Sequence, residues 1–220
     1  MTKLTVSQIA NVLKPYGVPV TEQICSNIRI YIDLLMQWNE KMALTTVTRR
    51  EDIVRFHFGE SIFALRDGLV RNGRLADVGS GAGFPGMALF LATDGINLTL
   101  IESNKKKCVF LREVVRRLDA EATVQIWQGR AEDFALRNGE AKFDYITTRA
   151  VGDFRGILSF SRSQLDNGGR VVLWVGGRDA EKIVREYGGT WEWSAPVRIP
   201  ASENRYVLAG SPLSVPRGTT

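Results

Sequence analysis

The segment Leu75-Ala76-Asp77-Val78-Gly79-Ser80-Gly81-Ala82-Gly83-Phe84-Pro85-Gly86 constrains the fold more than any other part of the chain. A short apolar run ends in an acid, a glycine loop follows, and a second apolar run begins near Met87. Read as strand, loop and helix, this is the opening unit of an α/β nucleotide-type site. Glycines in such a loop permit positive φ and let the backbone approach a ligand closely. Pro85 falls where the first helical turn would start, the place where a missing N–H costs least. Gly81-x-Gly83-x-x-Gly86 matches the dinucleotide fingerprint, a pattern of low specificity on its own.

Two acids narrow the choice of ligand. Asp77 stands at the mouth of the strand, where a dinucleotide would bring its pyrophosphate. Two unit charges about 4 Å apart interact by about 1 kcal/mol even in water, so a carboxylate there repels a pyrophosphate. S-adenosylmethionine brings an ammonium and a sulfonium to the same point, which an acid attracts. The other reading of Asp77 is a loop cap, its oxygens taken up by N–H groups. Glu102 ends the run Asn97-Leu98-Thr99-Leu100-Ile101-Glu102, 23 residues beyond Gly79. That is close to the ~20-residue offset of a strand-end acid that accepts ribose hydroxyls. It supports an adenosine ligand without choosing between S-adenosylmethionine and NAD.

Asp77-Val-Gly-Ser-Gly-Ala-Gly-Phe-Pro-Gly86, followed by Glu102-Ser-Asn-Lys-Lys-Lys-Cys-Val-Phe-Leu-Arg112, resembles the bacterial 16S ribosomal RNA guanine-N7 methyltransferases, the RsmG or GidB family. Gly129-Arg-Ala-Glu-Asp133, Thr148-Arg149-Ala150, Trp38-Asn39 and Leu44-Thr45 fit the same pattern, which runs from about residue 20 to about 210. The resemblance implies a class I, Rossmann-like, doubly wound S-adenosylmethionine-dependent methyltransferase with an N-terminal helical extension. It implies a cofactor site of Asp77, Gly79, Gly81, Phe84, Glu102, Ala131, Glu132 and Arg149, with Glu132 near the adenine edge. Arg149 has a second reading, an ion pair with Asp77 or Asp144. Arg130 and Arg205 match arginines expected to contact RNA or hold the loop beside the cofactor. The family's usual Asn before Leu-Thr is Ala43 here. Where many relatives read Leu-Lys-Gly after the fifth strand, this chain reads Trp174-Val175-Gly176.

The 220 residues suffice for one domain with a small appendage. We divide them as a helical extension over 1–72, a methyltransferase domain over 73–210 and a loose tail over 211–220. A net charge of +5 is compatible with a nucleic-acid partner, here 16S rRNA or the small ribosomal subunit. Two cysteines and one histidine offer neither a disulfide framework nor metal spacing, so no metal is expected. An N-terminus without an apolar signal core, and no run near the length of a membrane span, lead to the expectation of a cytoplasmic protein that does not enter membranes.

Thr5-x-x-Gln8 reads as a capping box. Ile24, Ile28, Tyr31, Leu35, Trp38 and Met42 form one helical stripe over about 22–42, either packed on the chain itself, which gives a monomer, or a dimer seam. Residues 50–72 read as another helix, carrying His57-Phe-Gly-Glu-Ser61. His57 is the sole histidine, either a base or a hydrogen-bonded structural residue. Strands and helices then alternate, with a turn at Asn167-Gly168-Gly169 and a terminal hairpin near 191–199 and 206–209. Lys105, Lys106, Lys107, Arg112, Arg116 and Arg117 make six basic residues in 13 positions, a solvated face or a phosphate-contacting edge.

Guanine N7 already carries an in-plane lone pair and has no proton to lose. No catalytic general base is therefore needed, and His57 and Arg149 are candidates for positioning only. Two rivals stand beside this reading: an NAD-dependent oxidoreductase on a Rossmann-type site, and a non-catalytic RNA-binding module on a methyltransferase-like fold.

Overall fold

The computed structural model describes residues 3–139, 142–149 and 152–213. The expected motif residue Ala150, and the tail from residue 214, lie outside them.

The N-terminal helices form where their caps dictate. Helix α1 (Val6–Leu13) opens on the complete Thr5/Gln8 capping box, and α2 (Glu22–Asn39) opens with Thr21 accepting from the Ile24 N–H. Ile28, Tyr31 and Leu35 of the α2 stripe are buried, and Ile24 and Trp38 pack on the same core, so the stripe faces the chain itself. The helix expected over 50–72 is α3 (Arg50–Ile53), a wide turn of i→i+5 type (Val54–Gly59) and α4 (Glu60–Arg66), ending earlier than its apolar pattern suggested. The wide turn carries His57.

The remaining chain alternates as expected: β1 (Gly73–Val78), α5 (Gly86–Ala92), β2 (Ile96–Glu102), α6 (Lys105–Arg117), β3 (Val124–Gln128), α7 (Ala131–Asn138), β4 (Phe143–Arg149), α8 (Phe154–Gln164), β5 (Leu165–Gly176) and α9 (Gly177–Tyr187). Three further strands follow, β6 (Trp191–Trp193), β7 (Val197–Arg198) and β8 (Arg205–Pro212). The sheet runs β3-β2-β1-β4-β5-β8-β6, parallel from β3 through β5 and antiparallel where β8 meets β5, β6 and β7. The N-terminal helices, α5 and α6 share one apolar core, and residues of α7, α8 and α9 share the other. That is a doubly wound sheet, and its strand order reverses between β1 and β4, where such folds open a ligand crevice.

Three local expectations change. The Asn167-Gly168-Gly169 turn lies inside β5 as an irregularity: Leu165 pairs with Phe143 and Arg170 with Tyr145, and Gly168 takes φ +80°. The terminal hairpin becomes β6 and β7 both pairing with β8. Ser211 and Pro212, assigned to the loose tail, pair with Glu192 and Trp191.

Candidate active site

The glycine loop leaves β1 at the crevice and is pinned from several sides. The Gly79 and Ser80 N–H groups donate to the Ile101 carbonyl, and the Gly81 N–H donates to Glu102 Oε2 at 2.8 Å. Gly79, Gly81 and Gly83 hold φ of +71°, +58° and +87°, a region that side chains with a Cβ avoid. The loop glycines nevertheless serve two purposes. A Cβ at Gly79 would meet nothing within 4 Å, and one at Gly81 only the Gly79 carbonyl at 3.8 Å, so both look onto open space. A Cβ at Gly83 would collide with the Tyr31 hydroxyl, and one at Gly86 would stand 2.7 Å from the Asp77 Cβ. Of the Gly81-x-Gly83-x-x-Gly86 fingerprint, only Gly81 faces the crevice; the other two let the loop lie tightly on its bed.

Beside Gly79 is a cleft of about 280 Å³ lined by Ile101, Ser103, Arg130, Ala131 and Glu132, with the first turns of α8 opposite. Glu102 stands at its edge, largely buried, each oxygen accepting one backbone N–H, from Gly81 and from Asn104. A carboxylate oxygen can accept more than one bond, so Glu102 retains acceptor capacity for a ribose. The cleft therefore has room where a Cβ would otherwise sit, an acid with lone pairs to spare, and Ala131 and Glu132 on the far wall. Those residues fit an adenosine-bearing cofactor.

Two expected members of that site sit elsewhere. Asp77 is completely buried beneath the loop, with Oδ1 accepting from Thr147 at 2.9 Å and Oδ2 without a hydrogen-bond partner among the described residues. Burial pushes its carboxyl up to about 7, against the lowering effect of the Thr147 hydrogen bond and of the nearby Gly86 N–H and Ser80 hydroxyl, with Glu102 adding to the rise. It underpins the loop, and its charge does not line the cleft. Phe84 is also buried, its ring stacked on His57 at 4.9 Å and set against Phe58 and Tyr31. Aromatic packing needs such a ring in the core, so Phe84 anchors the loop from below.

Arg149 also departs from expectation. It reaches neither the cleft nor Asp77 nor Asp144, but donates to the Phe56 carbonyl at 2.7 Å and to Glu60 Oε2 at 2.8 Å. Arg205 donates to the same Glu60 oxygen at 2.7 Å. Glu60 is only 2% exposed, and the two guanidinium groups give it the hydrogen-bonded partners that a buried acid needs. The triad borders a second cavity at the carboxyl ends of β4 and β5. Glu60 was visible in sequence only as the acid of the His57-x-x-Glu60-Ser61 pattern.

His57 is held, not poised. Its Nε2 lies 2.7 Å from the Thr45 hydroxyl. Burial, followed by the charges of Arg149 and Arg205, lowers its pKa to about 4, so the ring is neutral at physiological pH. Ala43 costs the adjoining loop little, because Asn39 Oδ1 accepts from both the Leu44 and Thr45 N–H groups. Trp174, where the strand end departs from the family pattern, donates its indole N–H to the Glu60 carbonyl at 2.7 Å. The lysines begin α6 directly after Glu102, Lys105 and Lys106 exposed and Lys107 half-buried, with the Asn104 side chain capping the helix below them. Arg116 is paired with Glu113. Arg130 is exposed at the start of α7, on the cleft wall.

Comparison with known proteins finds relatives over most of the chain. The profile of the family described as GidB: rRNA small subunit methyltransferase G matches residues 24–192. Ribosomal RNA small subunit methyltransferase G of Streptococcus pneumoniae serotype 19F (strain G54) is 32% identical over 79% of this chain and 74% of its own. The protein of that name from Chloroflexus aggregans is 30% identical over 99% of this chain and 96% of its own. Among solved structures, the glycopeptide N-methyltransferase MtfA, complexed with S-adenosyl-L-homocysteine, superposes with a TM-score of 0.57 at 16% identity, over 70% of this chain and 90% of that one. That likeness bears on the fold alone. With a loop, strand-end acid and sheet order of this kind, and relatives matched over most of their length, the chain belongs to the rRNA small subunit methyltransferase G family.

Proposed function

We propose that the protein transfers a methyl group from S-adenosylmethionine to N7 of one guanine in 16S rRNA, acting as a cytoplasmic monomer on the small subunit or its RNA. The observation that carries this reading is the open face of Gly79 and Gly81 beside Glu102, at the point where the strand order reverses. Gly79, Gly81, Glu102, Ala131 and Glu132 would hold the cofactor, which supplies an electrophilic methyl when bound. Asp77 and Phe84 would act indirectly by fixing the loop. Lys105, Lys106, Lys107 and Arg130 would face RNA phosphates, and Arg205, on the rim of the second cavity, would contact the RNA there. Residues 1–72 would serve as the extension that braces the loop, through the bond from the Tyr31 hydroxyl to the Ala82 carbonyl and the stack of His57 on Phe84.

With N7 as the nucleophile, no side chain has to take a proton. The work left to the protein is alignment and the exclusion of water. A neutral His57, tied to Thr45, suits that division of labour. An oxidoreductase is disfavoured by family membership, and a dead RNA-binding module by the open, unfilled space at Gly79 and Gly81. The test is mass-spectrometric mapping of 16S rRNA from cells with and without the protein. One 7-methylguanosine should disappear with the gene and return on treating the RNA or subunit with purified protein and S-adenosylmethionine. An unchanged methylation map would reject the proposal.

A further inference from the structure

The second cavity, about 390 Å³, lies beside the cleft and falls in the ~300–1,000 Å³ range of small-molecule pockets. Phe154, Trp174, Val175 and Ile199 make its apolar walls, and Glu60 at its base is already taken up by Arg149 and Arg205. Its rim is different. Among the described residues the Asp179 carboxylate, in the first turn of α9, has no hydrogen-bond or ion-pair partner. Asn204 beside it accepts the Gly177 N–H with Oδ1 at 3.1 Å, which fixes its amide so that the NH₂ end is the one left over. Arg205 has donors beyond the one it gives to Glu60. The rim thus offers a pair of acceptors next to donors, above apolar walls.

That pattern distinguishes bases. Guanine alone presents two adjacent donors, N1–H and the 2-amino group, next to an acceptor, O6. Adenine would bring its N1 lone pair against the carboxylate, and uracil would bring a carbonyl on each side of its single N–H. Position points the same way. The sheet order β1-β4-β5 puts the start of α9, which follows β5, on the side of the cavity away from Gly79. A purine held at Asp179 through N1–H and the 2-amino group keeps N7, on the adjacent edge beyond O6, free of that contact.

We infer that this cavity receives the target guanine, unstacked from its RNA, with Asp179 accepting the N1 and 2-amino hydrogens and Asn204 or Arg205 donating to O6. The inference rests on the methyl-transfer reading and adds to it the residue that selects the base. Bases recognised outside a helix are commonly read through this edge.

The experiment uses small-subunit RNA rebuilt with either guanosine or inosine at the mapped position. Inosine keeps N7, O6 and N1–H and loses only the 2-amino group. The parent protein should methylate the inosine RNA with kcat/KM lower by about 10- to 100-fold, the range for a bond to a charged acceptor. Asp179→Ala should lose a similar factor on guanosine RNA and treat the two RNAs nearly alike. Asp179→Glu should recover part of the discrimination. Cofactor affinity and melting temperature should stay at parental values in both variants, since Asp179 is exposed and outside the cleft. Full inosine discrimination in Asp179→Ala, or none in the parent, would overturn the base pocket while leaving methyl transfer standing. No methylation of the guanosine RNA by the parent would remove the reading beneath it, and this inference with it.

Discussion

At the scale of single residues, the two kinds of loop glycine should separate in experiment. Gly81→Ala places its Cβ in open space, so the fold should lose only about 1–2 kcal/mol for a positive φ, while cofactor affinity falls more than about tenfold as the cradle fills. Gly83→Ala drives a Cβ into Tyr31, with Met87 and Leu111 close behind, and should cost about 2–5 kcal/mol of stability. Calorimetric titration and thermal melting of the two variants read these effects apart. Glu102→Ala should weaken cofactor binding by about 2–4 kcal/mol if the carboxylate accepts two ribose hydroxyls; calorimetry showing parental affinity would remove that role.

Buried Asp77 and partly buried His57 give opposite pH dependences. The folded Asp77 titrates at about 7 against about 3.9 when unfolded, so the native state binds the extra proton and stability falls as pH rises between about 4 and 7. His57 titrates at about 4 when folded against about 6.5 unfolded, so its contribution rises with pH over about 4 to 6.5. The two oppose each other in the parent. Asp77→Asn should expose the histidine slope, with a melting temperature that climbs from about pH 4.5 to 6.5 and exceeds the parent's near pH 8. A variant less stable than the parent near pH 8 would mean that the native Asp77 is comfortably ionised. The acids and glycines themselves were legible in sequence, because strand-end and loop positions follow from pattern. Which way Asp77, Phe84 and Arg149 point was not, since that depends on Tyr31, Thr147 and Glu60, each far away along the chain.

Among the elements, α6 carries the clearest prediction. Its first turn projects the lysines beside Glu102 without using them in the fold; the cap is supplied by Asn104. Replacing Lys105, Lys106 and Lys107 with glutamine should weaken RNA binding and flatten its salt dependence by about 0.7–0.9 log–log units for each phosphate no longer neutralised, measured by fluorescence anisotropy across a salt series. Parental slope would leave them a solvated face. Capping box, α2 stripe and βα alternation could be read from the sequence because each is local. The wide turn at Val54–Gly59, the early end of α4 and the β5 irregularity could not. They answer to tertiary partners: a Cβ at Gly59 would collide with the Tyr16 ring, and one at Gly169 would stand 2.9 Å from the Phe143 carbonyl.

For the whole molecule, the N-terminal helices and the sheet share one core, so the extension is part of the machine that shapes the loop. Moderate positive charge, a crevice at the strand-order reversal and a neutral, partly buried histidine fit the proposed enzyme, which would align two substrates and move no proton. The most direct test is single-turnover methyl transfer at saturating S-adenosylmethionine and small-subunit RNA, with the product nucleoside identified and the rate followed across pH. The expected product is 7-methylguanosine, formed at a rate nearly flat from about pH 6 to 8.5, with most of that rate retained in His57→Gln. A rate rising tenfold per pH unit through the histidine range near about 6.5, abolished in His57→Gln, would contradict this and make His57 a general base.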